Sequence, residues 1–168
     1  MKDLVLPRTP THKDIRKFQE MLEKRPGSIK GEDLPVTHRY AEGLYCREFF
    51  HKKGQYVVGK MHARSHFFLL LSGEITVWTE AGLKRLKAPF VFRTEAGTKR
   101  VAYAHQDSVV MTFHSVKSDD IFEVEREIIV PDHLEEEFLL QLKLERAKEY
   151  LAELELKETS QRLLGRNR

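Results

Sequence analysis

Apolar positions change their period twice along the chain. Between Thr11 and Arg25, Ile15, Phe18 and Leu22 recur at steps of three and four, which predicts a short helix N-capped by Thr11 and stopped by Pro26-Gly27. A single narrow stripe of this kind is expected to pack on a larger body, and Gly31 to Pro35 reads as the linker to it. From about His38 to Pro131 the pattern is that of strands. Leu44 to Phe50 is rich in strand formers, Tyr56-Val57-Val58 resumes after Gly54, and His66 to Leu71 is a near-continuous apolar run ending at Ser72-Gly73. Glu74 to Thr79 alternates, with Ile75, Val77 and Thr79 on one face; Ala88 to Phe92, Arg100 to His105, Ser108 to Val116 and Phe122 to Val130 complete the predicted strands. Short strands at intervals of roughly eight to twelve residues, with turn signals between them, indicate a sandwich or barrel.

Beyond Pro131-Asp132 the composition becomes almost entirely Leu, Glu, Lys, Arg and Ala, with no Gly or Pro before Gly165. This predicts one long amphipathic helix whose first turn, Glu135-Glu136-Glu137, suits the positive end of its dipole. Leu140, Leu144, Ala147, Leu151 and Leu154 form a heptad seam of about two and a half repeats. Leu134, Phe138, Leu139, Leu142 and Leu156 widen the apolar face. Two readings stand: a helix lying on its own body, or one that zips to a second copy and makes a homo-oligomer. The expected organisation is therefore an N-terminal helical arm over 1-36, a β-domain over 37-131 and a C-terminal helix over 132-168.

Charge adds exclusions. The formal net charge of +3 comes from 29 basic and 26 acidic residues interleaved along the length, which is no nucleic-acid footprint. The cluster Lys84, Arg85 and Lys87 lacks interleaved aromatics, so nucleic acid is not expected as a partner. No apolar run approaches the roughly 20 residues of a membrane-spanning helix, and the start of the chain lacks a secretory apolar core. The single cysteine, Cys46, fits a reducing compartment and reads as a packing residue. A cytoplasmic location in a bacterial cell is the expectation. His12, His38, His51, His105 and His133 fall in turns, linkers or caps and read as solvated.

Gly54, five residues, Lys60-Met61-His62, three residues, His66, six residues and Gly73 form a spaced set. It resembles the first motif of the cupin superfamily, in which glycine, His-x-His, glutamate and glycine stand at those intervals. Lys60 occupies the position of the first histidine, His62 that of the second, and His66 that of the glutamate. Glu95-Ala96-Gly97-Thr98-Lys99-Arg100 is similar to the second motif, keeping its glycine but placing Arg100 at the ligand position. The resemblance runs from about Leu44 to Val116. It implies a mainly β, cupin-type jelly-roll β-barrel with its pocket at His62, His66 and Arg100. Gly97 to His105 and Val109 to His114 also resemble small uncharacterised bacteriophage cupin proteins, which implies a phage origin and a location in the host cytoplasm or the virion.

The departures from that motif set the chemistry. Catalytic cupins hold a divalent ion on three histidines and a carboxylate; here two imidazoles remain, beside two cations. A guanidinium cannot ligate a metal and repels one, so either no cofactor or a weakly bound divalent metal ion is expected, on His62 and His66 with His114 as a third ligand. His114 shares a strand face with Val110 and Thr112, and whether that face points inward is open. Lys60, His62, His66 and Arg100 together make a donor cluster suited to a small anionic ligand, a carboxylate or phosphate. The alternative has Arg100 paired with Glu95 or Glu74 and Lys60 pointing into water. Two functions follow. One is a non-enzymatic phage-type module that binds a small anion or assembles as a homo-oligomer, with a phage or host protein partner on the C-terminal helix. The other is a metal-dependent isomerase, epimerase or oxygenase with a reduced histidine set. A scaffold with a filled interior is the third.

Overall fold

The computed structural model describes residues 6–29 and 34–165. It divides into two units, Met1–Asp132 and His133–Arg168. In the first, α1 (His12–Glu23) opens with a complete capping box: the Thr11 hydroxyl accepts from the Asp14 amide, and the Asp14 carboxylate accepts from the Thr11 amide. Its stripe is buried as the spacing predicts, with Ile15 and Phe18 packed around Val101 and flanked by Trp78 and Val58.

Eleven strands follow among the described residues: β1 (Val36–Ala41), β2 (Leu44–His51), β3 (Tyr56–Val58), β4 (Met61–His62), β5 (His66–Ser72), β6 (Glu74–Thr79), β7 (Gly82–Lys87), β8 (Phe90–Thr94), β9 (Val101–Ala104), β10 (Ser108–Ser115) and β11 (Ile129–Val130). They make a five-stranded sheet in the order β1-β2-β10-β5-β8, a four-stranded sheet in the order β3-β9-β6-β7, and a short β11-β4 pair. Every pairing is antiparallel. Phe68 and Leu70 from the first large sheet share one core with Ile75, Val77, Leu86, Ala102 and Ala104 from the second. The unit is thus mainly β, two antiparallel sheets closed on a common interior in jelly-roll fashion.

The period-2 rule fixes which side chains enter that interior. On β10, Val110, Thr112 and His114 lie opposite Phe49, Arg47 and Tyr45 of β2. Thr112 also lies opposite Phe68 of β5. Since Phe68 is a core residue, all of these point inward, which answers the facing of His114.

Two expectations are corrected, and one strand is added. Phe122 to Val130 is a helix for most of its length, α2 (Ile121–Ile128), before the two residues of β11. Asp120 caps α2 by accepting from the Glu123 amide, and Val124 and Ile128 are buried four residues apart, a helical step that outweighs the strand propensity of the segment. The basic stretch Lys84 to Lys87 is a strand, β7. His51 and His12 are not solvated: they are only 1% and 9% exposed, and the His51 Nε2 lies 3.0 Å from the Gln55 carbonyl oxygen.

The second unit carries α3 (Glu135–Gly165), continuous past the end of the seam at Leu154. Leu140, Leu144, Leu151 and Leu154 are all exposed on it. Among the described residues no helix is long and apolar enough to cross a membrane.

Candidate metal and anion site

The spaced glycines act through backbone geometry. Gly73 turns β5 into β6 at φ +85°, and a Cβ there would collide with Ser108 of the adjoining strand. Gly97, at φ +79°, donates its amide to the His62 carbonyl at 2.9 Å. From the other side Ile129 of β11 pairs with His62. The backbone of His62 is therefore gripped by the Glu95–Gly97 turn and by the strand that follows α2. His66 begins β5 opposite Thr94. On β10 the register Thr112↔Phe68, Phe113↔Phe67 runs on to bring His114 beside His66.

These strands bring three imidazoles into contact. Ring centroids are 4.3 Å apart for His62 and His66, 4.7 Å for His62 and His114, and 4.6 Å for His66 and His114. All three side chains are buried. Burial, then the charges and rings around it, holds the His62 imidazole well below its ordinary range. Burial and the Arg100 guanidinium bring His66 down to about 4. Burial, His66, Arg47 and Arg100 bring His114 down to about 3. All three are neutral at neutral pH, the form that ligates a metal.

The polar atoms of this cluster are not satisfied by the protein alone. His62 Nε2 and His66 Nε2 are buried without a hydrogen-bond partner, which is rare for buried nitrogens. The His66 Nδ1 faces the Arg64 carbonyl oxygen at 3.3 Å, the contact that would place its proton there and leave Nε2 a free lone pair. His114 Nε2 lies 3.0 Å from the Thr112 hydroxyl oxygen. One ligating atom from each ring lies within 4.8 Å of the others. Two nitrogens on one ion at ~2.1 Å each stand at most ~4.2 Å apart, so small ring movements suffice. The residues fit a divalent ion of the nitrogen-ligated kind.

Arg100 lies before β9 and is 9% exposed. Its Nη2 donates to Thr94 Oγ1 at 2.7 Å, its guanidinium carbon sits 4.7 Å from the Phe68 ring centroid and 5.7 Å from that of Phe92, and Nη1 is buried without a partner. Burial lowers it to about 10, leaving it a cation at neutral pH. The pairing of Arg100 with Glu74 or Glu95 does not occur: Glu74 accepts from Arg85 and Glu95 from Arg93. Lys60 is not directed into water. Its ammonium lies 3.4 Å from the Glu125 carboxylate of α2, so that charge is already met.

His62, His66, Lys60, Arg100 and Thr112 line a cavity of about 120 Å³ whose other walls include Phe68, Phe49, Val110 and Arg47. Sequence reasoning did not find Arg47, although the alternation Tyr45, Arg47, Phe49, His51 on β2 was the signal for it. Thr94, which anchors Arg100 from the end of β8, carried no sequence signal.

No family model matches the chain, and no curated protein matches it. Among solved structures it is similar to KdgF from a Halomonas species, at 17% identity over 59% of this chain and 93% of that one, with a TM-score of 0.45. It is also similar to the cupin domain of Cnp3 from Schizosaccharomyces pombe, at 19% identity over 54% and 68%, with a TM-score of 0.42. Salicylate 1,2-dioxygenase from Pseudaminobacter salicylatoxidans gives 12% identity and a TM-score of 0.47, over 69% of this chain but 34% of that one. Likeness of this degree carries nothing about activity. The two-sheet architecture stands on the strand pairings themselves.

Proposed function

We propose that the chain is a cupin-like protein that holds a divalent metal ion on His62, His66 and His114 and a small anionic ligand against Arg100. The observation that carries this is the pair of buried imidazole Nε2 atoms with no partner inside a three-histidine cluster. When bound by His62, His66 and His114, the ion would supply Lewis acidity beside the cavity that His62 and His66 line. The chain's own residues do the rest. Thr94 and the Phe68 ring fix the Arg100 guanidinium so that a carboxylate or phosphate meets an ordered donor, and the apolar walls exclude water and strengthen that contact. This supports the metal-dependent isomerase, epimerase or oxygenase class over the purely non-enzymatic module, which would use the same Arg100 contact without turnover.

Cobalt(II) tests the reading. Adding it to the purified chain is expected to raise visible d–d absorption that is lost in His66→Ala, and acetate should perturb the band in the wild type but not in Arg100→Gln. A folded wild-type protein with no such band overturns the metal reading.

A homo-oligomer is proposed on a separate observation. The seam residues Leu140, Leu144, Leu151 and Leu154 are exposed in the single chain, and so large an apolar stripe calls for a cover. A heptad seam fits a second copy of itself.

A further inference from the structure

Arg47 sits on β2 in a row of one face with Tyr45, Phe49 and His51, of which Tyr45 and His51 are buried, and opposite Thr112. Its Nε is buried without a hydrogen-bond partner. Glu48, its neighbour in sequence, takes Arg39 at 3.0 Å, and Glu125 takes Lys60. Among the described residues no carboxylate comes within ion-pair distance of Arg47 or of Arg100. Both line the same cavity of about 120 Å³. Arg47 belongs to the five-stranded sheet, while Arg100 leads into β9 of the four-stranded sheet. The Arg100 guanidinium nevertheless reaches onto the five-stranded sheet, over Phe68 of β5 and against Thr94 of β8, so two guanidiniums without a carboxylate partner stand along one sheet, Arg47 on β2 and Arg100 over β5, with Thr112 of β10 between them. For Arg100, which is buried, a charge without a counterion is costly; Arg47 is half-buried and leaves its Nε without a partner.

We infer that the ligand of this site is a compact dicarboxylate, one carboxylate held by Arg100 and the other by Arg47. Charge sets the count: two cations without counterions call for two anionic groups. Their separation across β10, two strand spacings of ~4.8 Å from β2 to β5, asks for groups at the two ends of a molecule, where a single phosphate offers one centre. Volume sets the size. A cavity of about 120 Å³ has room for an acid of about three or four carbons. The inference rests on the Arg100 contact proposed above and is independent of the metal ion.

The test is calorimetric titration of the full chain, as purified and after chelation, with malonate, acetate and inorganic phosphate. Wild type is expected to bind malonate about tenfold or more tightly than acetate, the worth of one additional charge-assisted contact. Arg47→Gln should reduce malonate to the level of acetate and leave acetate unchanged, and Arg47→Lys, which keeps the charge, should recover part of the preference. Malonate binding equal in wild type and Arg47→Gln overturns the inference, as does phosphate binding more tightly than malonate. A malonate preference that persists in protein unable to take up metal upholds it while the metal reading falls. Acetate binding that depends on Arg100, with no malonate preference, overturns it while the Arg100 contact stands. No binding of any of the three to folded protein removes both.

Discussion

Arg100 and the three histidines answer burial in opposite ways: the imidazoles give up their charge, and the guanidinium cannot. A buried cation held by one threonine and the rings of Phe68 and Phe92 is a stability cost kept for a ligand. Arg100→Met is therefore expected to raise the stability of the ligand-free protein by about 1 kcal/mol or more while abolishing anion binding; a denaturant titration showing a lower midpoint would contradict this. For the histidines the sign runs the other way with pH. In the metal-free protein His66 and His114 are held at about 4 and about 3, against ~6.5 in the unfolded chain. Below ~6.5 the unfolded state binds more protons than the native state, so stability is full above that value and declines as pH falls toward the folded values, by ~1.4 kcal/mol per pH unit for each imidazole. Arg47 and Arg100, facing the same cluster, deepen the effect as like charges. Thermal melts of chelated protein between about pH 7 and about pH 5 should show this decline, and a flat profile would refute it. His62, His66 and Arg100 were legible in the sequence because spaced glycines mark their positions. Arg47 was not, since a charged residue within a strand reads as solvent-facing until its register against Phe68 and Thr112 is known.

At the level of elements, the grip on His62 is a grip on its backbone. Asp120 caps α2, and α2 delivers Ile129 to the pairing with His62. Asp120→Ala should cost about 1 kcal/mol and weaken cobalt affinity beyond what a surface alanine elsewhere does; affinity equal to wild type would show that β4 holds its position without the helix. Gly97→Ala forces a side chain into φ +79°, at a cost of about 1 kcal/mol or more, and should loosen the same histidine. The strands β2, β5, β6 and β10 were readable from alternation and turn residues. The segment Phe122 to Val130 was not, because valine and isoleucine favour strands while the capping aspartate and the spacing of Val124 and Ile128 favour a helix, and packing decided.

At the level of the whole molecule, apolar surface remains in both units. On the outer face of the five-stranded sheet Phe67, Leu71 and Val91 are more than half exposed. On α3 the leucine seam is exposed as well. Light scattering on the full chain is expected to give a mass above that of one copy, and a version ending at Asp132 should fall to a smaller species; an unchanged mass after truncation would remove the helix from the assembly. The sequence announced the seam, since a heptad repeat is local. It could not announce the exposed sheet face, which exists only once β5, β8 and β10 lie side by side.

The most direct measurement is metal content by mass spectrometry on the purified protein beside the double variant His62→Ala/His66→Ala. A three-histidine centre predicts near-stoichiometric divalent metal in the wild type and its loss in a double variant that remains folded by circular dichroism. Wild-type protein that carries no metal and takes none up on addition of zinc, cobalt, manganese or iron(II) would contradict it.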